Sequence, residues 1–267
     1  MRGFIVFIFF LSLTVHTIYA QKRNKLPCID KEFSIVAHIV KDSLGKANIT
    51  ENQINSLVSA INPIFDSICV SFKVCEFKYI DNFMYDTLSR WSELKNQYHV
   101  DNRINIYFVS KIIDPPGAAG FAGLGAICET DDEGIVLIKK ATYLVLAHEM
   151  GHFFGLSHTF ENSMNPDISK RELVDGSNAS TVSDQITDTP ADPYDPSQKA
   201  GMYSVFLSSD PAKPCKFTGK MQDAKGMFYD PLVGNTMSYY PETCNCGFTH
   251  EQYMKMAKTF LSKPKMW

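Results

Sequence analysis

The chain of 267 residues has almost no surplus of charge: 26 lysines and arginines stand against 29 acids, for a formal charge of −3. Such a balance offers no electrostatic footprint for nucleic acid or for an anionic membrane surface, and neither partner is expected. Long apolar runs are also missing. Beyond residue 20 no stretch approaches the ~18 apolar residues of a membrane helix. No membrane insertion is therefore expected, and the mature protein should be soluble. There is no internal repeat and no low-complexity tract.

The one notable apolar run stands at the start. Residues 1–20, MRGFIVFIFFLSLTVHTIYA, combine an early Arg2, an apolar core and a small residue at Ala20. This is the pattern of a secretory signal peptide cut before Gln21. Ser12, Thr14 and His16 interrupt the core, which is short for a membrane span. Cleavage removes Arg2 and no acid, so the formal charge moves from −3 to −4. The expected location is secreted: extracellular, or periplasmic in a bacterium. About 247 residues remain, enough for one large domain or two small lobes around a sizeable core. Seven cysteines in an exported chain favour disulfides, with one left over. Asn48-Ile49-Thr50 and Asn178-Ala179-Ser180 are glycosylation sequons, meaningful in a eukaryotic source.

The chemistry concentrates in His148-Glu149-Met150-Gly151-His152-Phe153-Phe154-Gly155-Leu156-Ser157-His158. Two histidines four apart on a helix share one face, a turn from each other, so both imidazoles reach one ion. Glu149 sits beside the first, within reach of a water at that ion. Gly155 accepts the left-handed backbone that ends a helix, which lets the chain turn back and deliver His158 as a third ligand. Three neutral nitrogens, a carboxylate and an open fourth position describe a catalytic zinc site rather than a structural one. A bare H-E-x-x-H arises on helices by chance; the added glycine and third histidine make the pattern specific. At this stretch the sequence resembles the metzincin metallopeptidases.

Around it the periodicities describe an α+β fold. Phe33–Val40 reads as a buried strand, and His38 within it as structural. Thr50 and Gln53 form a capping box ahead of an amphipathic helix carrying Ile54, Leu57, Val58, Ile61, Ile64, Phe65 and Ile68. Val70–Tyr79 and Arg103–Val109 alternate as strands, with loop and a short helix between them over Asp81–Val100. Pro115–Gly125 is either a long surface loop or a backbone-exposing edge beside the site. Gly134–Lys140 is a further strand, and Ala141–Phe154 the metal helix, expected to lie buried beneath the sheet. The order implies a mixed sheet with helical cover.

After His158 the chain turns irregular and is rich in Asn, Asp, Ser, Pro and Gly until a second capping box, Thr249 and Gln252, opens a closing helix. Asp184, Asp188 and Thr189 offer hard oxygens of the kind calcium uses; the alternative is a solvated turn whose side chains cap backbone groups. Asn235-Thr236-Met237-Ser238-Tyr239-Tyr240 resembles the methionine turn of metzincins. That resemblance puts Met237 as an apolar floor under the histidines. It also lets Tyr239 face the metal, as a ligand or as a stabiliser of the oxyanion.

Four features narrow the likeness: His158-Thr159-Phe160, Asp188-Thr189-Pro190, the Met237 turn, and Cys244 followed by Gly247-Phe248-Thr249 and Gln252. Together they resemble the pappalysin branch. The resemblance implies a catalytic domain over residues 33–267, with an upper lobe of twisted sheet and helices to about residue 158. A mostly irregular lower lobe with a C-terminal helix follows, and the zinc lies in the cleft between. It implies an endopeptidase whose peptide substrate binds as an extended strand along a sheet edge, with Glu149 as general base. The other class weighed is a secreted binding module that keeps fold and metal without activity; an intact Glu149 argues against it. Only about 12 residues, 21–32, separate the expected cleavage point from the first strand. That is shorter than the usual pro-segment, so zymogen control of the usual kind is in doubt.

Among the cysteines, six residues of strand from Cys69 to Cys75 span roughly 20 Å, too far for a disulfide unless the chain folds back. Cys244 and Cys246 lie too close in sequence to bridge comfortably, and Cys215 is expected to pair with one of them. Cys28 has two readings: a disulfide stapling the amino terminus to the upper lobe, or a thiolate at the open zinc position that keeps the enzyme latent.

Overall fold

Strand β1 (Lys31–Val40) is buried from Ile35 to Val40 because both of its faces are covered there. The computed structural model describes residues 25–113, 120–123, 134–197 and 206–262; the expected signal peptide lies outside them. Helix α1 (Glu51–Phe65) starts at Thr50, whose hydroxyl accepts from the Gln53 amide while the Gln53 side chain accepts from the Thr50 amide. Strand β2 (Val70–Ile80) follows, then a short strand β3 (Thr87–Leu88), helix α2 (Trp91–Tyr98), and strands β4 (Ile104–Val109), β5 (Lys111–Ile112), β6 (Gly120–Gly123) and β7 (Gly134–Ile138). Helices α3 (Tyr143–Phe153) and α4 (His250–Ser262) complete the regular elements.

The main sheet has the order β2-β1-β4-β7-β6; the first four strands run parallel and β6 runs antiparallel at one edge. This is the mixed, helix-covered sheet of the α+β expectation. Phe33, Ile35, Ala37 and Ile39 of β1 face a core shared with Ile54, Val58, Ile61 and Phe65 of α1 and with Leu146, Ala147, Met150 and Phe153 of α3. The other face holds a second core of Val40, Leu94, Tyr107, Val109 and Val136, with Trp91 against it. His38 lies fully buried, its Nε2 2.8 Å from Asn105 Oδ1 and its ring stacked on Tyr107, which agrees with the structural reading.

Two details escaped the periodicity. The pairing of β3 with β5 involves strands of two residues each, too short to show any period. In β2 the register slips so that Ile35 pairs with Val74 but Val36 with Glu76, leaving Cys75 as a bulge. The slip reverses the side-chain parity, and Phe77 takes up the inward direction that Val70, Phe72 and Val74 hold before it. Helix α3 begins later than Ala141 because Thr142 caps it, its hydroxyl accepting from the Val145 amide.

Between α3 and α4 the described residues carry short 3₁₀ turns, at Ile168–Lys170 and Glu242–Cys244, and isolated bridges. A third core of Phe160, Tyr194, Phe217, Val233 and Tyr240 holds this region, together with the Cys215–Cys244 disulfide. Cys28 is bonded to Cys69, which staples the amino-terminal segment beside β1. The pairing removes Cys28 as a thiolate able to reach a metal. Cys75 and Cys246 are free and exposed.

Candidate metal centre

The end of helix α3 is a Schellman motif. The Gly155 amide donates to the His152 carbonyl and the Leu156 amide to the Gly151 carbonyl, with Gly155 at φ 93°. A side chain would be strained at that angle, which is why the helix stops there and the chain can reverse. The reversal brings His158 back over the helix. His152 Nε2 then lies 3.1 Å from His148 Nε2 and 3.0 Å from His158 Nε2.

The His148–His152 contact is one of convergent lone pairs rather than a hydrogen bond. His148 Nδ1 donates to the Thr236 carbonyl at 2.6 Å, and His152 Nδ1 to the Leu156 carbonyl at 2.7 Å. With the proton on Nδ1, each Nε2 is bare and points inward. Two bare nitrogens this close repel one another unless a cation lies between them, and His158 Nε2 stands as close to His152 Nε2 as His148 Nε2 does. Tetrahedral zinc with Zn–N bonds of about 2.05 Å would set its nitrogens about 3.3 Å apart, so the spacing and donor set fit zinc. Burial depresses the basicity of all three imidazoles, helped at His148 and His158 by neighbouring histidines, to about 3 at His148 and about 2 at His158. They are neutral at ordinary pH, as ligands must be. Among the described residues this is the one group of three His, Cys, Asp or Glu side chains that could hold a metal ion.

The other expected residues gather nearby. Glu149 is buried, 5 % exposed, and lies against β6: a Cβ built on Gly120 would stand 3.0 Å from Glu149 Oε1 and 2.8 Å from Leu137 Cδ2. Part of the Pro115–Gly125 stretch thus forms the edge strand beside Glu149; residues 114–119 and 124–133 lie outside the described residues. Met237 is fully buried, with its Sδ beneath Gly151 of α3. The Thr159 amide donates to the Met237 carbonyl, joining the segment after His158 to this turn. Tyr239 is 48 % exposed, its ring centroid 4.8 Å from that of His158 and 5.4 Å from that of His148. Burial of the phenol, then the Glu149 carboxylate, push its ionisation up to about 12, so it is a proton donor at neutral pH.

The calcium reading of Asp184, Asp188 and Thr189 finds no support in the structure. Asp184 accepts from Thr189 Oγ1 and from the Ile186 amide, and Asp188 accepts from the Glu251 amide at the start of α4. These side chains cap one another and the backbone, and among the described residues they join no cluster of ligands. Sequence reasoning also missed the anchors of the turn. Asn235 and Gln252 exchange two buried side-chain hydrogen bonds, at 2.8 and 3.0 Å, pinning the turn to α4. The buried Asp192 accepts from both Thr159 and Ser238. Neither partnership leaves a local signal in the chain.

Two family models match. The one described as reprolysin-like metallopeptidase family M12B covers residues 51–159, and the one described as pregnancy-associated plasma protein-A covers residues 134–261. No curated protein matches at a significant level. Among solved structures, metalloproteinase-II from Bacteroides fragilis is 19 % identical over 51 % of this chain and 45 % of its own, with a TM-score of 0.32. Archaemetzincin from Methanopyrus kandleri is 14 % identical over 51 % of this chain and 78 % of its own, with a TM-score of 0.33. A chain from a chaperone–substrate complex is 12 % identical over 58 % and 29 %, with a TM-score of 0.34. The protein thus spans under half the length of the Bacteroides enzyme chain that it matches.

Proposed function

We propose that the chain is a zinc metallopeptidase of metzincin type, a secreted endopeptidase cutting protein or peptide chains at the His148, His152 and His158 site, a reading supported by the two metallopeptidase family models that match parts of it. The observation that carries this is the convergence of three histidine Nε2 atoms, that of His152 3.0–3.1 Å from the other two, with Glu149 buried alongside. Zinc at such a site supplies a Lewis acid that polarises a carbonyl and lowers the pKa of water. Glu149 takes a proton from the attacking water and returns it to the leaving amine, so one carboxylate serves as base and then acid. The Tyr239 phenol, protonated at working pH, donates to the carbonyl oxygen as negative charge gathers on it. His148 and His152 keep their tautomers through the Thr236 and Leu156 carbonyls and so present Nε2 throughout.

Substrate lies as an extended strand along β6, the antiparallel edge of the sheet. In support, β6 has no strand on its outer side among the described residues, and its Gly120 leaves the Glu149 side chain close to the backbone. Secretion is supported by the two disulfides, which persist in oxidising compartments. No helix among the described residues is long and apolar enough to cross a membrane.

The test is digestion of a peptide library by purified protein with and without a chelator, beside the variant Glu149→Ala. Chelation should abolish cleavage. Glu149→Ala should keep its zinc and lose at least ~10²-fold in rate. Cleavage that survives chelation, or a variant as fast as the parent, would remove the mechanism.

A further inference from the structure

Asp192 sits in irregular chain, yet its carboxylate joins three separate segments around the site. Oδ2 accepts from Thr159 Oγ1 at 2.7 Å and from Ser238 Oγ at 2.8 Å. Oδ1 accepts from the Tyr194 amide at 3.0 Å and from the Tyr240 hydroxyl at 3.1 Å. Thr159 directly follows His158, while Ser238 and Tyr240 are the residues on either side of Tyr239. The Tyr194 ring, held through its own amide, meets the Tyr239 ring edge-on with centroids 5.7 Å apart.

A buried carboxylate is costly to desolvate and persists only where its oxygens are bonded. Apolar side chains could tie the same segments together at lower cost, but without fixing direction. Four directed bonds fix where the turn stands relative to His158. Tyr239 needs that help, because half of its surface is in solvent and its rotamer is only partly held by packing.

Resting on the reading of Tyr239 as the donor to the oxyanion, we propose that Asp192 is a positioning residue. It clamps Ser238 and Tyr240 to Thr159 and to the Tyr194 backbone, and so holds the Tyr239 phenol over the histidine cluster. Positioning of this kind acts on kcat more than on KM, since the phenol's bond is realised in the transition state.

The substitutions separate this role from simple support of the fold. Asp192→Ala deletes the clamp. Asp192→Asn keeps a gentler version: its amide oxygen serves the Tyr194 and Tyr240 donors, and its NH₂ group donates to the Thr159 and Ser238 oxygens, whose hydroxyls can rotate. Ser238→Ala removes one bond only and covers the case in which Asp192→Ala does not fold.

Two measurements are needed. In the first, kcat and KM are determined for these variants alone and combined with Tyr239→Phe. We expect Asp192→Ala to lower kcat about 10-fold or more with little change in KM, and Asp192→Asn to recover part of the loss. On the Tyr239→Phe background, removing Asp192 should cost less than about threefold, because the group it positions is gone. Multiplicative losses would overturn the proposal, as would an Asp192→Ala variant with the parent's kcat.

The second measurement is independent of activity. The zinc-free protein is labelled with 3-fluorotyrosine, and the Tyr239 fluorine line is identified by its absence in Tyr239→Phe. Asp192→Asn and Ser238→Ala should shift or broaden that line. A Tyr239 line unchanged in both variants would overturn the proposal. A shifted line in a protein that cleaves no peptide would leave the clamp standing and remove the catalytic reading instead.

Discussion

Gly151 and Met237 are in contact so close that no side chain fits between them: a Cβ on Gly151 would lie 2.5 Å from Met237 Sδ. The helix that bears two histidines therefore rests directly on the turn that bears Met237. The Thr236 carbonyl, one residue earlier, fixes His148. Gly151→Ala should push the turn away, costing about 1–3 kcal/mol as overpacking does and weakening zinc binding through the His148 anchor. Thermal melting of the zinc-free protein and a zinc titration check both effects. A variant with the parent's melting temperature and zinc affinity would show that the turn yields freely.

His158 contributes one of the three convergent nitrogens and reaches the site only through the reversal at Gly155. His158→Ala should retain the fold, seen as unchanged circular dichroism, and lose stoichiometric zinc on dialysis against a mild chelator. One zinc per chain surviving that dialysis would place the third ligand elsewhere.

Cys28 is joined to Cys69 across 41 residues of chain. Cys28→Ala should lower stability by up to about 4 kcal/mol in the chain-entropy account of a loop that size, with no rise in initial activity. A jump in activity at unchanged melting temperature would instead revive the latency reading.

His38 predicts an acid sensitivity with a definite sign. Burial lowers its pKa from 6.5 to about 4, partly offset by the bond to Asn105. Because the folded value is depressed, the unfolded chain binds the extra proton first. The contribution to stability is complete above pH 6.5 and is lost as pH falls towards 4. The energy involved is on the order of a few kcal/mol. Melting temperatures of zinc-free parent and His38→Gln between pH 4 and 7 should show a shallower acid decline in the variant. Parallel curves would mean that other groups govern the decline.

The parts of this protein that its sequence determined alone are those whose partners lie within a helical turn or two. His148 and His152 share a face because of helix pitch, the Thr50 and Thr142 caps act on amides three residues on, and Gly155 ends α3 through bonds to the turn before it. Alternation marked the strands for the same reason, and it stopped being informative where the Cys75 bulge reversed parity in β2. The Met237 turn was legible only by resemblance to a known family. What the tertiary structure decided lies at long range. His148 takes its tautomer from a carbonyl 88 residues away, and Asp192 binds hydroxyls 33 and 46 residues away. Gly120 meets Glu149 only because β6 closes the sheet edge beside α3. Cys28 chose Cys69 because β1 and β2 start side by side, with Lys31 opposite Val70. Spacing along a chain encodes contacts that one helix or strand makes with itself. Contacts between elements depend on how whole faces pack, and no local pattern records them.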